Sequence, residues 1–399
     1  MKPIMKSTYI KIFLASVLAV IPAMASAQEV DDVLAEISRN NLQLKALRIN
    51  NEAALLDIRA QNNIQQDISF SYSPFFQKGV EGIASSEMVV SMGFDFPTQY
   101  FARHKSGDFQ EKALAMQYSL QRRDLMVEAR NLCLDLVRLK RERILLEKRL
   151  ANADELIVLV EKKFNEGGAG IIELNMVKME RMNVKTLVAQ NDAAVKTAEL
   201  GLRTLNGNIP VSLSTAEYPQ EEAIMDFESF CSELMASDKS ILAAQASIDA
   251  AEQEIKVNQQ NWIPKFEVGY RRNTALCDAS NGFLVGASIP IFSSRNKTKA
   301  AKSRYEAALA EMENARAMVE SELRSKYNEM MQAYGSMAAY DVPLMEETID
   351  ALDKAVVAGQ ISIINYFTEA DKVYTSLLAF YGVENQYHKL MTEVFKNRL

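Results

Sequence analysis

Residues 87–96 read EMVVSMGFDF, a stretch in which large apolar residues alternate with small, polar or charged ones. Three other stretches show the same alternation, and together they predict four β-strands, at about 67–76, 86–96, 263–272 and 282–292. A half-buried soluble sheet would also alternate. Strands of about 9–11 residues whose second face is small or charged are more typical of a membrane β-barrel.

Four strands are too few to close a barrel, because membrane barrels need about eight or more. An open sheet edge is not tolerated in lipid, since its backbone groups would lack hydrogen-bond partners. The sequence therefore predicts an oligomer, and a trimer would supply twelve strands.

Long helical stretches surround the strands. From Thr98 to Glu166 apolar residues recur at steps of three, four or seven with no proline, which predicts one helix roughly 100 Å long. A second long helix is predicted at about 294–357, with Pro343 as its single interruption. Helices of this length belong to coiled coils or helical tubes rather than to a globular core.

The order of elements occurs twice along the chain. The repetition is marked by residues 192 positions apart, among them Arg103 and Arg295, Lys105 and Lys297, and Gly167 and Gly359. We therefore predict an internal two-fold repeat, with residues 28–206 and 227–399 as the two copies and 207–226 as a linker or equatorial segment. Each copy would contain a helix, two barrel strands, a long helix and a further helix.

The N-terminal segment predicts export. Residues 1–27 have a basic start, a short apolar stretch and the small residues Ala25-Ser26-Ala27 at a cleavage site, as in a secretory signal peptide. The apolar stretch is too short to span a bilayer. The whole chain has a formal net charge of −7, which argues against nucleic acid as a partner.

Cysteine and histidine usage gives no sign of catalysis or metal binding. The cysteines Cys133, Cys231 and Cys277 are distant from one another and odd in number, so no disulfide framework is predicted. The only histidines are His104 and His388. No catalytic triad, phosphate loop or zinc spacing is present, so we expect no catalytic residues, no cofactor and no metal site.

Two other patterns have a functional and a structural interpretation. Met176, Met179 and Met182 lie at steps of three; thioethers suit soft metals, but methionine is also a common filler between helices. The basic run from Arg138 to Arg149 is interleaved with Leu and Glu and is interpreted as a solvated helix face.

Two local motifs complete the pattern. Residues 287–297, ASIPIFSSRNK, lead from a strand into a helix, and residues 359–366, GQISIINY, form a turn whose first-half counterpart is 167–174. With the order of elements, these motifs resemble the TolC-type outer-membrane efflux family over essentially the whole mature chain.

The resemblance implies a mixed α and β membrane protein that assembles as a homotrimer. A 12-stranded outer-membrane β-barrel would be continued by a long periplasmic α-helical coiled-coil barrel. The partners implied are a periplasmic adaptor protein, an inner-membrane pump and outer-membrane lipid. The expected location is the outer membrane, with a large periplasmic part.

The function implied is a passive outer-membrane channel of a tripartite efflux system, which exports small molecules, drugs or metal ions. A conduit for type I protein secretion is an alternative within transport. A soluble periplasmic coiled-coil scaffold is an alternative of another class, against which the alternating strands argue.

The resemblance also implies roles for the two glycine turns. We expect an adaptor-docking tip formed by Gly167, Ile171, Ile172, Gly359, Ile363 and Ile364, since exposed apolar residues at a tip suggest a docking partner. We expect a periplasmic gate at Glu173, Asn365, Thr368 and Glu369. Asn365 and Thr368 stand where the family often has carboxylates.

Overall fold

A computed structural model describes residues 28–62, 68–219, 227–275, 278–290 and 296–399. The predicted signal peptide, Cys277, Arg295 and the predicted end of the last strand at 291–292 lie outside these residues. Cys133 and Cys231 are buried and unpaired.

The described elements follow one another as α1 (28–40), α2 (Leu42–Asn62), β1 (Ile68–Phe75), β2 (Ser85–Phe94), α3 (Pro97–Asn165), α4 (Ile171–Leu205), α5 (Phe227–Ser237), α6 (Lys239–Gln259), β3 (Lys265–Ala275), β4 (Asp278–Ser288), α7 (Lys297–Met337), α8 (Val342–Val357) and α9 (Ile363–Val394). A short 3₁₀ turn, Lys396–Arg398, follows α9. None of these helices has a stretch that is both long and apolar enough to cross a membrane.

The chain divides into two compact units. The helical unit comprises the described residues up to Lys45 together with Arg122–Leu234 and Glu320–Leu399. The sheet unit comprises Ala46–Gln121 and Met235–Val319. Each unit is described below by itself.

The sheet unit contains a four-stranded antiparallel sheet in the order β1-β2-β3-β4. Its central pair, β2 and β3, joins a strand from each half of the chain. The edge strands are β1 and β4. Pro74 lies in β1 opposite Ser86. Proline has no N–H to donate, but an edge strand tolerates this when that side of the residue faces away from the neighbouring strand.

The pairing register places most of the large apolar side chains of the four strands on one face. One row across the sheet runs from Ile68 to Met92, Val268 and Val285, and paired residues point to the same face. The apolar face consists of Ile68, Phe70, Tyr72, Met88, Val90, Met92, Phe94, Phe266, Val268, Tyr270, Phe283, Val285 and Ala287. It is open to solvent in the single chain, and Phe283 is 93% exposed.

The opposite face is small or polar over most of its area. Its members are Ser69, Ser71, Ser73, Glu87, Val89, Ser91, Gly93, Lys265, Glu267, Gly269, Arg271, Asn273, Ser280, Gly282, Leu284, Gly286 and Ser288. The alternation in the sequence thus becomes two chemically distinct surfaces.

The hairpin between β3 and β4 is longer than the sequence indicated. The sequence predicted β4 at about 282–292, but the strand begins at Asp278 and ends at Ser288. Asn273 pairs with Ser280, and Ala275 pairs with Asp278. These polar residues continue the strands because backbone pairing does not require an apolar side chain.

The second long helix is broken, whereas α3 is continuous over 69 residues. The interruption predicted at Pro343 is confirmed, but it is a complete break, since α7 ends at Met337 and α8 starts at Val342. Asp341 caps α8, and its carboxylate accepts the N–H of Leu344 at 3.1 Å. Pro343 lies in the first turn of α8, where its missing N–H costs nothing.

Candidate functional site: two glycine turns in the helical unit

The first turn follows α3. Gly167 has a φ of +75°, a left-handed conformation that is unfavourable for a residue with a Cβ atom. The N–H of Gly168 donates to the carbonyl oxygen of Lys163 at 2.7 Å, as in a Schellman motif. The chain then enters α4 at Ile171.

The second turn follows α8 and has the same construction. Gly359 has a φ of +70°, and the N–H of Gln360 donates to the carbonyl oxygen of Ala355 at 2.8 Å. The chain then enters α9 at Ile363. A Cβ atom placed on Gly359 would lie 4.0 Å from the Lys163 Nζ, so the two turns are close neighbours.

The helices that leave the two turns are capped differently. The N-cap of α4 is Gly170, which has no side chain, and the carboxylate of Glu173 accepts the Gly170 N–H at 2.9 Å. The N-cap of α9 is Ser362, and its Oγ accepts the Asn365 N–H at 3.2 Å. Glu173, predicted as a gate residue, therefore has a capping contact in this structure.

The apolar residues of the turns do not share one environment. Ile171, Ile172 and Ile364 are exposed, and Ile172 is 69% exposed. Ile363 is only 7% exposed and packs into the core between the helices. The expectation that Ile363 is an exposed tip residue was wrong, because the first turn of α9 directs it inward.

The other predicted gate residues, Asn365, Thr368 and Glu369, are exposed along the start of α9. The Thr368 hydroxyl donates to the carbonyl oxygen of Ile364 at 2.9 Å. The Glu369 carboxylate forms an ion pair with Lys372 at 2.9 Å.

Beneath the turns, four helices share one apolar core. Its buried members include Leu156 and Val160 of α3, Leu174 and Val177 of α4, Ile349 and Val356 of α8, and Tyr366, Tyr374 and Leu377 of α9. Because this core connects both hairpins, polar contacts that cross it control how the hairpins pack.

Arg149 makes the first of these polar contacts. Its Nε donates to Glu180 of α4 at 2.6 Å, and its Nη2 donates to Asp371 of α9 at 3.1 Å. The guanidinium lies 4.7 Å from the ring centroid of Tyr374. The Arg149 side chain is only 11% exposed.

The interpretation of the basic run as a solvated face was therefore wrong for Arg149. A signal was present in the sequence: Arg149 lies four residues after Leu145 and seven before Leu156, and both leucines are buried. Those spacings place Arg149 on the inward face of α3.

A second polar contact is centred on Asp353 of α8. Its carboxylate accepts the Tyr366 hydroxyl at 2.8 Å and the Asn152 amide at 2.7 Å. Burial raises the pKa of Asp353 above its usual value, although these two hydrogen bonds act in the opposite direction. The three residues belong to α8, α9 and α3, so Asp353 links the second hairpin to the first.

The described residues contain no cluster of three or more His, Cys, Asp and Glu side chains that could hold a metal ion. Met179 and Met182 are exposed, but Met176 and Met182 lie about 120° apart around α4. The three methionines therefore do not converge on one point. The chemistry of this site is that of a packing surface with ionic and hydrogen-bonded ties.

Comparison with known proteins agrees with this architecture. Residues 230–389 match the family model described as outer membrane efflux protein. CusC has the same fold over nearly the whole chain, with a TM-score of 0.76 and 14% identity over 93% of this chain and 92% of that chain. Over residues 230–389 the chain is therefore similar to outer membrane efflux proteins, and the CusC match extends the likeness in fold to nearly the whole chain.

Other solved structures share the fold. The CmeC outer-membrane channel of Campylobacter jejuni has a TM-score of 0.70 and 14% identity over 92% of this chain and 85% of that chain. VceC of Vibrio cholerae has a TM-score of 0.71 and 12% identity over 93% and 96%, respectively. No curated protein sequence is significantly similar to the chain.

Proposed function

We propose that this protein is the passive outer-membrane channel of a tripartite efflux system that exports small molecules, drugs or metal ions. Three copies would form a 12-stranded barrel, and the helices would continue it as a periplasmic tunnel. An inner-membrane pump would supply the energy, and a periplasmic adaptor would join the pump to the channel.

The observation that carries this proposal is the division of the sheet into two faces. In the central rows every large apolar side chain except Val89 and Leu284 lies on one face, which suits contact with lipid. The serine- and glycine-rich face suits a water-filled pore. Exposed Phe96 and Trp262 lie between the strands and the helices, and exposed Phe101 lies in the first turns of α3, as is typical at a membrane interface.

The free edges of β1 and β4 support an oligomer. Within one chain each edge strand has a single partner, and unpaired backbone groups are costly in lipid. Three copies would close the ring if β4 of one copy paired with β1 of the next. The stable product would then be the trimer alone.

The proposed channel role is supported by the relatives rather than by a binding site. CmeC, which shares the fold, is described as an outer-membrane channel. The comparisons favour neither protein secretion nor a soluble scaffold, and an exposed apolar sheet face also argues against a soluble scaffold.

The two glycine turns are proposed as the periplasmic end of the tunnel. Ile171, Ile172 and Ile364 would offer the apolar docking rim for the adaptor, with Gly167 and Gly359 shaping it. Ile363 would support the rim from beneath. Glu173, Asn365, Thr368 and Glu369 are proposed to lie at the closed entrance.

The sheet assignment is tested by two substitutions at neighbouring positions. Phe70→Arg places a charge on the proposed lipid face and is expected to cost about 2–4 kcal/mol near mid-membrane, less toward the interface. Ser71→Arg places the same charge on the proposed pore face and is expected to insert like the parent. The measurement is the heat-resistant trimer fraction recovered in outer membranes. Equal defects in both variants would contradict the assignment of the faces.

The oligomer is tested separately by light scattering of the purified protein in detergent, with the mass of bound detergent subtracted. A trimer is expected at all dilutions at which the protein is detectable. A stable monomer that retains its strands would contradict the shared barrel.

A further inference from the structure

Two neighbouring arginines on β3 point to opposite faces of the sheet. Arg271 lies on the polar face and forms an ion pair with Glu87 on β2. Arg272 is exposed and lies on the apolar face, where it pairs in register with Met88 and Asn281. Among the described residues, no side chain forms an ion pair with Arg272.

Arg272 marks one boundary of the apolar band. The next row toward the helices consists of Phe70, Val90, Tyr270 and Phe283, whereas the next row toward the hairpin ends consists of Pro74, Ser86, Thr274 and Ala279. An arginine on the lipid face is costly at the middle of the bilayer and much less costly near the interface. At this boundary its apolar stem can cover lipid while the guanidinium reaches the headgroups.

We infer that Arg272, with Asn281 and Thr274, binds the phosphate of an anionic lipid in the outer leaflet. The inference rests on the proposed barrel, which puts the hairpin ends on the outer side of the membrane. A guanidinium can donate two parallel hydrogen bonds to a phosphate. Asn281 is the direct cross-strand neighbour of Arg272, and Thr274 is two residues along on the same face, so both can add donors.

The surroundings favour a lipid over a free phosphate ion. Met88, Tyr270 and Phe283 lie beside Arg272 on the same face, and they offer an apolar surface for acyl chains. Arg271 provides an internal contrast, because its charge is already neutralised by Glu87. The partner is therefore a phosphoglycolipid such as lipid A, held by its headgroup and its chains together.

The test measures retention of lipid A by the purified full-length trimer, with EDTA present to remove bridging cations and native mass spectrometry as the readout. Arg272→Ala is expected to weaken retention about tenfold or more, since a hydrogen bond to a charged group contributes about 1.5–3 kcal/mol. Arg272→Lys should recover part of the loss. The matched control is the double variant Glu87→Gln with Arg271→Gln, which removes a charge pair from the other face and should retain lipid A like the parent.

Two ligand controls separate the sources of phosphate. Dephosphorylated lipid A should be retained poorly by the parent, and millimolar inorganic phosphate should not displace lipid A. Retention by Arg272→Ala equal to that of the parent would overturn the inference, and so would displacement by inorganic phosphate. The trimer mass and the Phe70 and Ser71 insertion results are measured on the same preparations. If those results hold and only the lipid result fails, the lipid site is wrong and the channel proposal stands.

Discussion

The two glycine turns have the same backbone, but the hairpins that carry them are built differently. In the first hairpin the helix that leads into the turn is α3, which is unbroken over 69 residues. In the second hairpin the helix that leads into the turn is α8, which is 16 residues long and follows the break after α7. An unbroken helix resists bending, whereas a non-helical joint lets the helix beyond it change direction.

The contrast teaches that identical turns can have different mechanical roles. The α8–α9 hairpin is held against α3 by discrete polar ties, including Lys148 to Asp350 at 2.6 Å and the contacts of Asp353. Since such ties can be broken one at a time, we expect the second hairpin to move when the tunnel opens. The first hairpin is expected to remain in place as the support.

The largest effect is expected from Gly359→Trp, which should abolish export while the trimer still assembles. A Cβ atom at Gly359 would meet only the Lys163 Nζ, at 4.0 Å, and we expect the ring beyond it to cover the docking rim. Gly359→Ala is the control, because it introduces the left-handed strain of about 1–2 kcal/mol without the bulk. Export is measured by the minimum inhibitory concentration of a substrate. If alanine abolished export as tryptophan does, backbone strain rather than docking would explain the loss.

Tyr366→Phe is expected to loosen the second hairpin by about 1–3 kcal/mol, because it removes the hydroxyl that donates to the partly buried Asp353. Hydrogen exchange should then accelerate in α8 and α9, while α4 stays protected. Tyr340→Phe is the matched control, since Tyr340 packs against Phe380 in the same region. Faster exchange spread evenly over both hairpins would remove the proposed difference between them.

The pH dependence of Asp353 should sharpen the same comparison. Because its pKa is raised above the usual 3.8 in the folded chain, the folded state binds the proton more tightly than the unfolded state. The contribution to stability is therefore largest below pH 3.8 and is lost as the pH rises through the raised pKa. Asp353→Asn should remove this dependence. The melting temperature of the parent minus that of Asp353→Asn is expected to fall over this window, and a constant difference would contradict the assignment.

The smallest effects are expected at the two caps. Ser362→Ala removes the side chain that caps α9 and should cost about 0.5–2 kcal/mol. Glu173→Gln keeps an acceptor for the Gly170 N–H and loses only the charge near the start of α4, which should cost about 0.3–1 kcal/mol. Thermal unfolding of the trimer measures both. The reverse order of the two losses would show that the carboxylate matters more than the hydroxyl.

Local periodicity was enough to predict the strands, because alternation along β2 and β3 reports directly which side chains share a face. It could not predict that β2 pairs with β3, since that contact joins residues almost 180 positions apart, such as Met92 and Val268. The longer β3–β4 hairpin was missed because Asn273 and Ser280 resemble loop residues. The break before α8 was signalled by Asp341 and Pro343, which together form a helix start rather than a kink.

The tip was predictable only where the backbone dictates the residue. A left-handed turn strongly favours glycine, so Gly167 and Gly359 were found from the sequence. The ties made by Arg149 and Asp353 were missed because each joins helices that are distant in the chain. Whether Ile171, Ile172 and Ile364 bind the adaptor remains a prediction, as do the roles of Glu173, Asn365, Thr368 and Glu369.

The central pairing of β2 with β3 leaves one free edge from each half of the chain. If the ring closes by joining β4 of one copy to β1 of the next, these edges pair equally well with a parental copy and with a copy whose helical end is damaged. Mixed trimers would then form. A gene for the Gly359→Trp chain would therefore be genetically dominant over the parental gene. With equal expression and random mixing, only about one trimer in eight would contain three parental chains. A single damaged allele would then remove most of the export capacity of the cell.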